Sequence, residues 1–110
     1  MRLPLHSYLL LLLLLCACAT TPRTVNESLA VGYSTLAAVR TVAANGLNAK
    51  ILSVADAKQV QLLADEARTG LDAARALNLS GDTSTAIAKL NFANGILVQL
   101  QQYLTARGIK

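Results

Sequence analysis

Residues 82–108 read DTSTAIAKLNFANGILVQLQQYLTARG, and this stretch decides the fold. Ala86, Leu90, Ala93, Leu97, Leu100 and Leu104 recur at alternating steps of four and three. One face of an α-helix repeats in that way, and a sustained alternation makes a heptad seam. Phe92, Ile96 and Tyr103 lie beside the seam and widen the apolar arc toward a second neighbour. Asp82 stands where a helix N-cap belongs, and Gly108 stands where a helix stops. The pattern predicts a helix over 83–107.

Two further helices follow from the same signals. Upstream, Val60, Leu63, Ala64, Ala67, Leu71, Ala74 and Leu77 form a comparable stripe. It is opened by Ser53-Val54-Ala55-Asp56, which has capping-box spacing, and closed by Ser80-Gly81. Before it, Thr24-Val25-Asn26-Glu27 is a second capping box, followed by a stripe of Leu29, Tyr33, Leu36, Val39, Ala43 and Leu47. Asn45-Gly46 is the expected stop of that helix. The expected fold is therefore all-α, a small antiparallel three-helix bundle in a domain spanning 24–110, with helices at 25–46, 54–80 and 83–107. Three amphipathic helices joined by short loops pack most simply in this way.

Glycine and charge refine the picture. Gly32 and Gly70 fall inside helices on the flanks of their stripes, where each costs about 1 kcal/mol relative to alanine. Close approach of the first two helices would explain both. Gly95 lies opposite its stripe and has no such explanation. Asp65, Arg68, Asp72 and Arg75 are three or four apart on the second helix and read as a solvated charge ladder. Arg40 falls near the apolar stripe, with its stem expected on the core and its head in water. Leu62, Ile87 and Val98 point away from the expected core, too scattered to mark a patch.

The first residues read differently. Arg2 supplies a positive charge, Leu9 to Leu15 are seven consecutive leucines, and Ala17 is small, as a signal-peptidase site requires. The apolar run is well short of the roughly 20 residues needed to span a bilayer. The segment Leu15-Cys16-Ala17-Cys18 resembles the lipobox of bacterial lipoproteins. That resemblance implies a signal peptide over 1–17 that is cleaved, and a diacylglyceryl group on the sulfur of Cys18, which becomes the mature N-terminus. Cys16 is a weak competitor because Leu15 before it is bulky. Ala19 follows the cysteine where an Asp would favour the inner membrane in Gram-negative members, so the resemblance implies the outer membrane, facing the periplasm. Residues 18–23 would be the lipidated cysteine and a tether reaching less than about 20 Å.

Composition then excludes much chemistry. From Cys18 onward the chain carries nine Lys and Arg against six Asp and Glu, in mixed order, which gives poor support for nucleic-acid binding. The single histidine, His6, would leave with the signal peptide, and Cys18 would be consumed by lipid. The usual zinc ligand sets and Ser-His or Cys-His nucleophile pairs are then not available, and no cofactor or metal site is expected. Glu27, Asp56, Asp65, Glu66, Asp72 and Asp82 are the remaining acid–base candidates. Three of them sit at expected helix starts, where negative charge suits the helix dipole.

The expectation is a non-catalytic, lipid-anchored envelope protein that acts by contact, as a structural, assembly or inhibitory module. Its partners would be membrane lipid through Cys18 and an envelope protein, or a second copy of itself, through helix 83–107. An alternative is a prophage-type lipoprotein involved in exclusion or envelope modification, a likeness of general style to small bacterial and prophage lipoproteins. A remote one is a carboxylate-dependent envelope hydrolase, which would need Asp65 or Glu66 to face another carboxylate in a cleft.

Overall fold

The computed structural model describes residues 24–110. The expected signal peptide (1–17), Cys18 and the expected tether (18–23) lie outside the described residues. Three helices follow one another: α1 (Val25–Asn48), α2 (Val54–Leu79) and α3 (Thr83–Ala106). Each begins at the cap read from sequence. The side chains of Thr24, Ser53 and Asp82 accept hydrogen bonds from the backbone N–H of Glu27, Asp56 and Thr85. Glu27 and Asp56 lie in first turns, beside the positive end of the helix dipole.

Cross-helix pairs fix the direction of each element. Asn26 meets Asn78, Tyr33 meets Asp72, and Arg40 meets Asp65, so α2 runs antiparallel to α1. Asp56 meets Arg107, and Gly70 faces Ala93, so α3 runs antiparallel to α2. The result is an up-down-up bundle in which α1 and α3 lie parallel and both touch α2.

The core is leucine and alanine. All six seam positions of α3 are buried: Ala86, Leu90, Ala93, Leu97, Leu100 and Leu104. In α2 the buried positions are Val60, Ala64, Ala67, Gly70, Leu71 and Ala74, while Leu63 and Leu77 are half-buried. The α2–α3 seam is close because its residues are small. A Cβ on Gly70 would lie 3.0 Å from Ala93 Cβ and 3.5 Å from the Lys89 carbonyl oxygen. Gly70 thus serves α3, not α1 as the sequence suggested. Gly32 does serve the α1–α2 approach, since a Cβ there would come within 2.7 Å of Leu71 Cδ2. Gly95 faces open space.

The expected stop at Asn45-Gly46 is overturned. α1 continues to Asn48, and Gly46 is buried. A Cβ on Gly46 would sit 2.7 Å from Ile109 Cδ1 and 3.2 Å from Leu52 Cδ1. The glycine makes room for these two side chains, which plug this end of the core at 7% and 2% exposure. The left-handed residue that ends α1 is instead Lys50, at φ 60°. Its N–H donates to the Leu47 carbonyl and the Ile51 N–H to the Gly46 carbonyl, a Schellman arrangement. At the other two helix ends the same position is Gly81 and Gly108, as expected. α2 ends at Leu79 and α3 at Ala106, each one residue short of the expected bound.

Lysine in the left-handed region carries a steric cost that glycine does not. Lys50→Gly is therefore expected to stabilise the domain by about 1 kcal/mol, less some added entropy of the unfolded chain. The shift of the urea midpoint measures it. An unchanged or lower midpoint would show that Lys50 is not strained as described.

Candidate functional site

The surface contains four side-chain latches between helical elements, and several open grooves. On the α1–α2 side, Arg40 donates from Nη2 to Asp65 Oδ1 at 2.7 Å. Its side chain is half-buried, with the stem along the core and the head on Asp65 rather than free in water. About two helical turns further along, the Tyr33 hydroxyl donates to Asp72 Oδ1. Arg68 lies 3.9 Å from the other oxygen of Asp72. The charges of α2 are thus more than a solvated ladder. Asp65 and Asp72 tie α2 to α1, and the sequence signal for this was Arg40 and Tyr33 at the edge of the apolar stripe of α1.

Burial raises the Tyr33 pKa above its ordinary value of 10.0, and the hydrogen bond to Asp72 adds to the rise. A raised folded-state pKa means that the folded chain holds this proton more tightly than the unfolded chain. The resulting stability is fully present below about pH 10 and is lost as pH rises through the folded value. Tyr33→Phe is expected to remove this loss. Its stability relative to wild type should be constant up to about pH 10 and then improve. Alkaline urea titrations of the two proteins test this; parallel curves above pH 10 would refute it.

On the α2–α3 side, Arg107 Nη1 donates to Asp56 Oδ2 at 3.3 Å, and its guanidinium carbon lies 4.5 Å from the Tyr103 ring centre. These three residues form one end of a groove of about 430 Å³ floored by Val60, Leu63 and Leu100. A second groove, between α1 and α2, is floored by Ala43, Ala44 and Ala57 and walled by Leu47, Val54, Arg40 and Lys58. The first contains a single carboxylate, Asp56, and the second contains none. Among the described residues no group of three or more His, Cys, Asp or Glu converges as a metal would require. Asp65 and Glu66 do not face another carboxylate in either groove. Nor is any helix of the described residues long and apolar enough to cross a membrane.

No family model, no curated protein and no solved structure matches this chain. The functional reading therefore rests on its own residues.

Leu62, Ile87 and Val98 are exposed, as the stripes implied. The structure corrects the place of one residue and adds two that the stripes did not single out. Phe92, expected to widen a buried arc, is 55% exposed on the outer side of α3, while Ile96 and Tyr103 are half-buried. Between Lys89 and Arg107 α3 has no charged residue. Val54 and Leu79, at the two ends of α2, are the most exposed large apolar side chains among the described residues, at 75% and 79%.

Proposed function

We propose that the chain is a lipid-anchored envelope protein that acts by contact and not by catalysis. The observation that carries the reading is the sequence Leu9 to Cys18, a leucine run ending in a lipobox-like Leu15-Cys16-Ala17-Cys18. Cys18 is the proposed lipidation site, and the outer membrane facing the periplasm is the proposed location. The three-helix domain is the contact module. Its exposed α3 surface from Phe92 to Ala106, which carries no charged residue beyond Lys89 at its edge, suits a protein partner or a second copy, because association there desolvates little charge.

The test is the intact mass of the protein purified from a bacterial envelope. The reading expects a chain that begins at Cys18 and is heavier by a diacylglyceryl group and an amide-linked acyl chain. A chain that retains residues 1–17, or one cut elsewhere and carrying no lipid, would overturn it.

A further inference from the structure

The two most exposed large apolar side chains among the described residues share one side of α2. Val54 and Leu79 are about 38 Å apart along the helix axis and within about 20° of the same direction around it. The stripe between them is the flank of α2 that borders α1. Along it run Lys58, Arg68 and Arg75, joined from α1 by Arg40. The only carboxylates among them are Asp65 and Asp72, and each already has a partner: Asp65 is held by Arg40, and Asp72 accepts from Tyr33. The flank thus has four cations against two carboxylates; Arg40 and Arg68 lie on those carboxylates, which leaves Lys58 and Arg75 in excess. Lys50 adds a further positive charge at the Val54 end, at a backbone conformation where glycine would be less strained. The opposite side of the bundle, the outer face of α3, is uncharged from Leu90 to Ala106.

We infer that the α1–α2 flank rests on an anionic bilayer surface, with Val54 and Leu79 entering the headgroup–acyl boundary at its two ends. Basic residues between apolar anchors are the composition that binds such surfaces. The cations meet lipid phosphates and the apolar side chains bury in the interface. Charge complementarity selects this occupant over a second copy, whose identical basic flank would repel it. The inference deepens the proposed anchor reading in one respect. α1 starts beside Asn78, so a short tether to Cys18 would hold the Leu79 end of the flank close to the membrane. The domain would then lie flat, with α3 turned outward.

The chain contains no tryptophan, so an introduced one is a unique reporter. The probe is the processed protein, from Cys18 to Lys110, carrying Val54→Trp, Leu79→Trp or, as the control on α3, Val98→Trp. Each is reconstituted in vesicles of phosphatidylglycerol and phosphatidylcholine with brominated acyl chains. Bromine should quench Trp emission at positions 54 and 79 and leave position 98 bright. In phosphatidylcholine alone, in high salt, or with Lys58→Glu and Arg75→Glu together, the emission at 54 and 79 should recover. Equal brightness at all three positions in anionic vesicles would overturn the inference, as would quenching at 54 and 79 that ignores lipid charge. Helical circular dichroism shows that each variant is folded. The Cys18→Ser chain, tested with excess anionic vesicles, separates the two readings: quenching without the anchor supports the flank alone, and an unlipidated wild-type mass refutes the anchor alone.

Discussion

Leu71→Ala is expected to destabilise the domain by about 3–4 kcal/mol, toward the upper part of the range for buried leucines. Leu71 is fully buried at 0% exposure. Its methyl groups lie where a Cβ on Gly32 would be, so the side chain rests directly on the backbone of α1. The cost of such a truncation depends on how far neighbours can move into the hole. Here the neighbours on α2 are Ala67, Gly70 and Ala74, none of which has an atom beyond Cβ to extend. The α2–α3 seam is already in contact at Gly70 and Ala93, so α3 cannot move inward either. The cavity should persist. A domain of this size is stable by only about 4–13 kcal/mol, so the variant sits near the threshold of unfolding. Urea unfolding followed by circular dichroism should show a large drop in midpoint with little change in slope. Phe92→Ala, at a half-exposed position, should move the midpoint far less. If both changes cost about the same, the core is not organised around Leu71.

Helix-level structure was legible because the seam of α3 is regular and its ends are marked. All six residues of Ala86 to Leu104 read from spacing are buried. The misreading of Gly46 has a general cause. A glycine in a sequence carries two opposite meanings, a place where a helix ends or a place where something packs closely, and local sequence does not separate them. Gly46 was read as the first and is the second, because Ile109 and Leu52 reach it from other elements. Those two residues were themselves missed as core. Each stands in a short segment outside any helix, where periodicity has nothing to count. Gly70 was correctly read as a close-packing position but assigned to the wrong neighbour, since a stripe shows that a face is buried and not against what. The latches Arg40–Asp65 and Tyr33–Asp72 join residues 25 and 39 apart, a separation at which spacing on one helix says nothing. The flank between Val54 and Leu79 needed the structure for the same reason. Its charges alternate along the sequence, and only the pairings seen in the structure show which are matched, Asp65 with Arg40 and Asp72 with Tyr33 and Arg68, and which, Lys58 and Arg75, are left over.

Cys18→Ser carries the other large expected effect, loss of stable membrane attachment. A buried acyl chain contributes about 0.8 kcal/mol per methylene, and one chain alone holds a protein only reversibly. Two or three chains on one residue make attachment effectively permanent, so removing their only acceptor is an all-or-none change. Serine retains the size of the side chain and lacks the sulfur that would take the diacylglyceryl group. The protein should then appear in the soluble periplasmic fraction, or remain as an uncut precursor whose mass includes residues 1–17. Cys16→Ser is the matched control. It alters the neighbouring thiol, leaves Ala17-Cys18 intact, and should change neither attachment nor mature mass. A Cys18→Ser protein with wild-type attachment and mature mass would refute the anchor. Any adhesion left in the cleaved serine variant should be weak and vanish as salt is raised, because the cations of the α1–α2 flank draw it to the surface and two apolar side chains, Val54 and Leu79, are too few to hold it alone; interactions between exposed charges are screened beyond about 10 Å at 0.1 M salt. Salt-resistant attachment of the cleaved variant would place the second contact elsewhere, on the uncharged surface of α3.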